Sequence, residues 1–158
     1  MSKPARKSEQ EAIRDFRHSL PMELLRAREA AMARFRPVLR QHGLTEQQWR
    51  VIRALADSEP IDASELARRS YLLAPSLTRI LQFLEKASLV KRTSDSNDQR
   101  RSVLTLTAKG RRVFDSVGPD SEDRYAEIEA EFGHDRLEAL YELLAEFYTT
   151  LDKNQSSG

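Results

Sequence analysis

Residues 64–90 read SELARRSYLLAPSLTRILQFLEKASLV. The spacing predicts two short helices with a tight turn between them. The first covers Ala63 to Arg69, and Asp62 or Ser64 can cap it by accepting an orphan N–H of its first turn. A turn at residues 70–74 follows. Pro75 then falls in a first helical turn, where its missing N–H costs nothing and its φ is already helical. Leu77, Ile80, Leu81 and Leu84 recur at i, i+3, i+4 and i+7, the spacing of one buried helix face, and the pattern ends near Ala87 and Ser88. Two short helices across a tight turn make a helix-turn-helix.

Downstream, 89–93 and 103–107 are rich in β-branched residues, and the polar stretch 94–102 between them reads as the tip of a β-hairpin, a wing beside the helix-turn-helix. Thr107 caps a helix carrying Val113, Phe114 and Val117. Gly118-Pro119 is expected to break it, with helix resuming from about Asp120 through Tyr125, Ile128 and Phe132. A last helix places Leu137, Leu140, Leu144, Phe147 and Leu151 on one stripe. Upstream, Thr45 and Gln48 form a capping box for a helix that buries Trp49, Ile52, Leu55 and Ala56. Gly43 closes a helix from Leu20 whose stripe is Leu24, Leu25, Ala31, Met32, Phe35, Val38 and Leu39. Pro37 either kinks that helix or marks a break near Phe35. The expected fold is mainly α with a small β-hairpin. A winged helix-turn-helix lobe spans 44–110, terminal helices span 20–43 and 111–151, a loose arm covers 1–19 and a disordered tail covers 152–158.

Composition agrees with a stable, helix-rich domain: hydrophobic residues are 39% and charged residues 32% of the 158, with 5 Gly and 6 Pro. The absence of cysteine excludes disulfides, thiolate zinc sites and thiol-based peroxide sensing. No apolar run approaches the roughly 20 residues needed to cross a bilayer, and the opening residues lack a signal peptide's apolar stretch, so a cytoplasmic protein is expected. The net charge of +1 conceals a division along the chain. Residues 64–112 hold 11 basic against 4 acidic side chains, whereas 113–158 hold 3 against 12. A basic middle beside an acidic helical tail suits a module that binds a polyanion.

Off its buried stripe, the second helix of the pair presents Ser76, Thr78, Arg79, Gln82 and Lys86, the hydroxyl, amide and cationic groups that reach base edges and phosphates. Pro75 at its start and Ser64 on the preceding helix complete the candidate DNA face. In the wing, Asn97, Asp98, Arg100 and Arg101 cluster in a loop of about seven residues. Asp98 is expected to fix a neighbouring arginine and hold the loop in shape, leaving Arg100 to enter a minor groove.

Residues 77–81 (LTRIL), 84–90 (LEKASLV), 97–100 (NDQR) and 106–110 (LTAKG), in that order and spacing, resemble the signature of the MarR family of bacterial transcription regulators. Residues 25–32 with 35–37, and 44–50, are similar more narrowly to the branch that represses homoprotocatechuate (4-hydroxyphenylacetate) degradation operons. The resemblance implies an obligate homodimer with interlocked terminal helices. It also implies two recognition helices in successive major grooves of a pseudo-palindromic operator, and a ligand pocket between the dimer helices and the DNA-binding lobe. Two features depart from the family: Gly118-Pro119 interrupts a helix that is usually unbroken, and Asn97 stands where many members carry arginine.

A repressor of aromatic catabolism must recognise a ring and a carboxylate, which calls for apolar walls with an arginine among them. Arg28 interrupts the stripe Leu24, Ala31, Phe35, and Trp49 and Arg53 stand at i, i+4 on the next helix. Arg28, Phe35, Trp49 and Arg53 are therefore the candidate ligand residues. The alternative is that Arg28 pairs with Glu127 or Glu131 across a dimer interface and Trp49 is core. His18, His42 and His134 lack the spacing of a metal site, and no catalytic constellation or cofactor motif is present, so neither an enzyme nor a metal sensor is expected. The competing function is a winged-helix protein-interaction module without a small-molecule effector.

Overall fold

The structure, a computed structural model, describes residue 13 and residues 15–58 and 60–155. Among these, a 3₁₀ turn at Phe16–His18 precedes six α-helices and one hairpin. The helices are α1 (Leu20–Gln41), α2 (Glu46–Ala56), α3 (Ala63–Ser70), α4 (Ala74–Lys86), α5 (Ala108–Phe132) and α6 (His134–Gln155). Strands β1 (Val90–Ser94) and β2 (Ser102–Leu106) lie between α4 and α5. The chain divides into two units, Met1–Ala33 and Arg34–Gly158, the boundary falling inside α1.

In the first unit the Asp15 carboxylate accepts the Arg17 N–H at 2.9 Å and caps the 3₁₀ turn, so 16–18 are ordered within the expected loose arm. The rest of that arm, residues 1–12 and 14, lies outside the described residues, as does the extreme tail, 156–158. The helical part carries an i, i+3 pair, Glu23 with Arg26 at 2.8 Å, and leaves Leu24 and Leu25 exposed.

The second unit is built on the core that the α4 stripe predicts. Leu77, Leu81 and Leu84 are buried against Val51, Ile52, Leu55, Leu66, Leu104 and Val117, with Ile80 half-buried beside them. Val51 is fully buried, although the sequence pattern did not mark it; Trp49 and Ala56, expected in the core, are only half-buried. Each capping residue does local work that sets these helices in place. Thr45 accepts the Gln48 N–H at 3.2 Å while the Gln48 side chain accepts the Thr45 N–H at 3.0 Å, closing the capping box. Asp62 rather than Ser64 caps α3, taking the Glu65 N–H at 2.8 Å. Gly43, at φ +70, makes the turn after α1 that few other residues adopt without strain.

The hairpin pairs Val90 with Leu106 through Ser94 with Ser102, so Ser94 and Ser102 are the last strand pair and 95–101 the tip. An isolated bridge between Ile61 and Leu104 ties β2 to the segment before α3. At its base the hairpin is joined to α5 by three bonds. The Thr107 N–H donates to the Leu89 carbonyl at 3.0 Å, its hydroxyl to the Ser88 carbonyl at 2.6 Å, and Lys109 Nζ to the Ala87 carbonyl at 2.9 Å. Gly110 completes the joint, because a Cβ there would stand 2.1 Å from the Leu89 oxygen. Gly110→Ala is therefore expected to cost about 1–3 kcal/mol through forced backbone displacement. Calorimetry should show the melting temperature falling by about 2–4 °C per kcal/mol; an unchanged value would contradict the close approach.

The structure differs from the sequence expectations at three places. The helix does not break at Gly118-Pro119: α5 runs unbroken from Ala108 to Phe132 with Pro119 inside. Proline removes one backbone bond, but its steric conflict with the preceding residue acts partly through that residue's Cβ, which Gly118 lacks. Burial of Val117 and Ser121 on either side holds the helix through the site. Of the two readings of Pro37, the break near Phe35 does not occur: α1 continues through it, with Val38 and Leu39 buried immediately after. The tail expected to be disordered from 152 is helical to Gln155, as the last turn of α6.

Candidate nucleic-acid interface and effector cluster

The α4 face off the buried stripe is open to solvent, as the reading of the helix requires. Pro75, Ser76, Thr78, Arg79, Gln82 and Lys86 are all exposed, and so is Ser64 on α3. Thr78 donates its hydroxyl back to the Ala74 carbonyl at 2.9 Å.

Several neighbouring cations are already held by acids. Glu65 is gripped by Arg68 at 2.7 Å and Arg69 at 2.6 Å, and these two guanidiniums hold its carboxyl down to about 2. Arg92 pairs with Glu85 at 3.0 Å. Among the described residues Arg79, Lys86, Lys91 and Arg100 have no ion-pair partner, which leaves them for an external polyanion.

The wing tip is shaped by its two aspartates. Asp95 accepts the Asn97 N–H and Asp98 the Arg100 N–H, each at 3.0 Å, and the Asp95 N–H reaches the Arg101 carbonyl at 2.7 Å. Asp98 thus holds the loop through a backbone N–H instead of the guanidinium bond expected of it. The acid that fixes an arginine is Asp62: its second oxygen pairs with Arg101, 39 residues away, while the first caps α3. The Glu65 N–H and then Arg101 lower the Asp62 carboxyl from its ordinary value. Arg101 is therefore a strut between wing and α3; both tip arginines are exposed, and Arg100 is the one not held by an acid among the described residues.

Three of the four candidate ligand residues converge on α5. The Phe35 ring lies 4.7 Å from that of Tyr125 at 56°, and Arg53 directs a guanidinium N–H to the Tyr125 hydroxyl at a long 3.4 Å. Trp49 stacks on Phe114 at 5.7 Å and 23°, and the Arg111 guanidinium lies 5.4 Å over the other member of that pair. Tyr125 and Phe114 stand 11 residues apart on α5, so Trp49 and Arg53 leave α2 toward different points on the facing helix. The sequence pattern places Tyr125 only on a helix; in the structure it is the residue that joins Phe35 to Arg53. Arg28 belongs to the first unit, where its guanidinium meets Glu29 at 3.3 Å. Glu131 is taken by Arg34 through two bonds of 2.8 Å, which lower its carboxyl, and Glu127 by Arg124 at 2.8 Å.

A solvent-facing helix at the end of a helix-turn-helix, flanked by a cationic wing, defines a winged-helix DNA-binding regulator. Residues 44–102 match the MarR family. The homoprotocatechuate degradative operon repressor of Escherichia coli is 45% identical over 82% of this chain and 87% of its own. The crystal structure of NadR in complex with 4-hydroxyphenylacetate superposes with a TM-score of 0.73 at 44% identity, covering 85% of this chain and 96% of that one. The transcriptional repressor CouR bound to a 23-mer DNA duplex does so with 0.76 at 27% identity, over 82% and 92%. The chain belongs to the MarR family of transcription regulators.

Proposed function

We propose that the protein is the homodimeric repressor of an operon for degradation of a homoprotocatechuate-type aromatic acid, released from its operator by 4-hydroxyphenylacetate or a close analogue. The observation that carries this reading is the meeting of Phe35, Tyr125 and Arg53: a ring wall with a guanidinium and a phenol at its edge. Arg53 and the Tyr125 hydroxyl supply the donors that a carboxylate needs, and Phe35 supplies apolar surface for a ring; Trp49, stacked on Phe114 eleven residues from Tyr125 along α5, is not assigned to this cluster. Arg28, engaged by Glu29, is not assigned to this cluster. The name of the E. coli relative and the ligand of NadR support the same chemical class.

The lobe over 44–110 reads DNA in this proposal and α1, α5 and α6 pair the protomers. Exposure of Leu140, Leu143, Leu144, Phe147, Tyr148 and Leu151 on α6 supports the pairing role, since so long an apolar row is covered in a stable protein. No described helix is long and apolar enough to cross a membrane, and we place the protein in the cytoplasm, with the DNA it reads, as a regulator and not an enzyme. Release works by population shift: the effector favours a state in which the two recognition helices no longer match the half-site spacing. A coupling of about 1–3 kcal/mol then weakens operator binding roughly 5- to 150-fold.

A thermal-shift series tests the reading. 4-Hydroxyphenylacetate is expected to raise the melting temperature progressively with RT ln(1 + [L]/Kd), and to weaken operator binding at the same concentrations. No shift with this acid or its catechol analogue would remove the effector half and leave the repressor standing.

A further inference from the structure

Three local rules are broken within the turn that joins α3 to α4. Tyr71 caps α3 at φ 51, ψ 47, the left-handed region that an L side chain enters at a cost and glycine enters freely. Leu73 holds the N-cap position of α4, where Ser, Thr, Asp or Asn is preferred, and makes no side-chain cap bond. Both side chains face water: Tyr71 is 82% exposed and Leu73 78%. Leu72 between them is half-buried against the core, its N–H on the Ala67 carbonyl at 3.0 Å, which fixes the turn. Local rules that fail together on one rigid turn mark a functional position.

We propose that this turn is part of the DNA-reading surface and that Leu73 selects a thymine through its 5-methyl group. The inference rests on the reading that α4 enters the major groove. Leu73 directly precedes Ala74, Pro75 and Ser76, so its exposed side chain continues the surface formed by Ser76 and Arg79. In a docked helix-turn-helix the N-terminal end of the recognition helix approaches the base edges. The major groove offers one apolar group to an aliphatic side chain there, the thymine methyl. Tyr71, two residues earlier, presents its phenol on the same turn toward the flanking sugar and phosphate, a contact without sequence preference.

The test uses the full-length protein and the duplex it selects from a random pool. Each thymine of the half-sites is replaced singly by deoxyuridine, which removes only the methyl group, and affinity is read by fluorescence anisotropy at fixed salt. One position is expected to weaken wild type about fivefold per half-site. Leu73→Ala should lose that sensitivity while keeping the wild-type response at every other thymine, and Leu73→Met should retain it. Equal methyl sensitivity in wild type and Leu73→Ala would overturn the proposal and return the turn to a protein-docking role. Failure of wild type to select any duplex in a salt-dependent manner would overturn the major-groove reading itself, and this inference with it. Tyr71→Gly gives an independent readout: it should raise the melting temperature by relieving the left-handed strain and weaken binding to all duplexes several-fold. A rise in melting temperature with unchanged DNA affinity would overturn the role of Tyr71.

Discussion

Raising monovalent salt from about 50 to about 200 mM is expected to weaken operator binding by about 10³-fold, if about six phosphates are neutralised by the dimer. The estimate comes from the division of cations on the lobe. Arg68, Arg69, Arg92 and Arg101 are engaged by Glu65, Glu85 and Asp62, which leaves Lys86, Lys91 and Arg100 of each protomer for phosphate and Arg79 for a base edge. Arg100→Ala should then reduce the salt slope by about two, one contact per protomer, and weaken binding to all sequences alike. Arg79→Ala should instead relax preference at one base pair per half-site, by about 1–3 kcal/mol each. Electrophoretic titrations across salt and across single-base operator variants separate the two. A flat salt response would contradict the DNA reading, and identical profiles for the two variants would contradict this assignment of roles.

Arg53→Met should weaken 4-hydroxyphenylacetate binding by about 10²-fold, roughly 3 kcal/mol, because it removes one partner of a charge-assisted contact. Tyr125→Phe removes a neutral donor and keeps the ring packed on Phe35, so a loss of at most about tenfold is expected. Both variants should bind operator like wild type without the acid, since neither residue lies on the α4 face or the wing. Calorimetric titration with the acid is the decisive measurement. Wild-type affinity in Arg53→Met would place the carboxylate elsewhere.

The parts of this molecule that were legible in its sequence are those governed by short-range chemistry. Thr45 with Gln48, Asp62 or Ser64 before α3, Pro75 and Thr107 each satisfy or remove donors within a few residues, so helix starts can be read one at a time. The α4 stripe and the hairpin are likewise periodic over a short span. What escaped depends on tertiary packing. Gly118-Pro119 carries a strong local break signal, yet burial of Val117 and Ser121 outweighs one missing bond. Tyr125 meets Arg53 across 72 residues and Arg101 meets Asp62 across 39, and no local pattern states how two helices are rotated against each other. The α4 positions read as the DNA face are thus all exposed in the structure, whereas Tyr125, which joins Phe35 to Arg53, carries no local signal that places it beside them.

The close seat of Gly110 on the Leu89 carbonyl has a mechanical consequence. With no room for a side chain and three bonds across the joint, the base of the wing and the first turn of α5 travel as one piece. The 25 residues of α5 make a lever about 37 Å long. A pivot of about 10° at its far end would sweep the wing's root through about 6 Å, more than the rise of one base pair and comparable to one helical turn of protein. Under the proposed function, a small molecule bound beside Tyr125, well along that lever, needs to impose only a slight angular displacement to throw the wing out of phase with a groove.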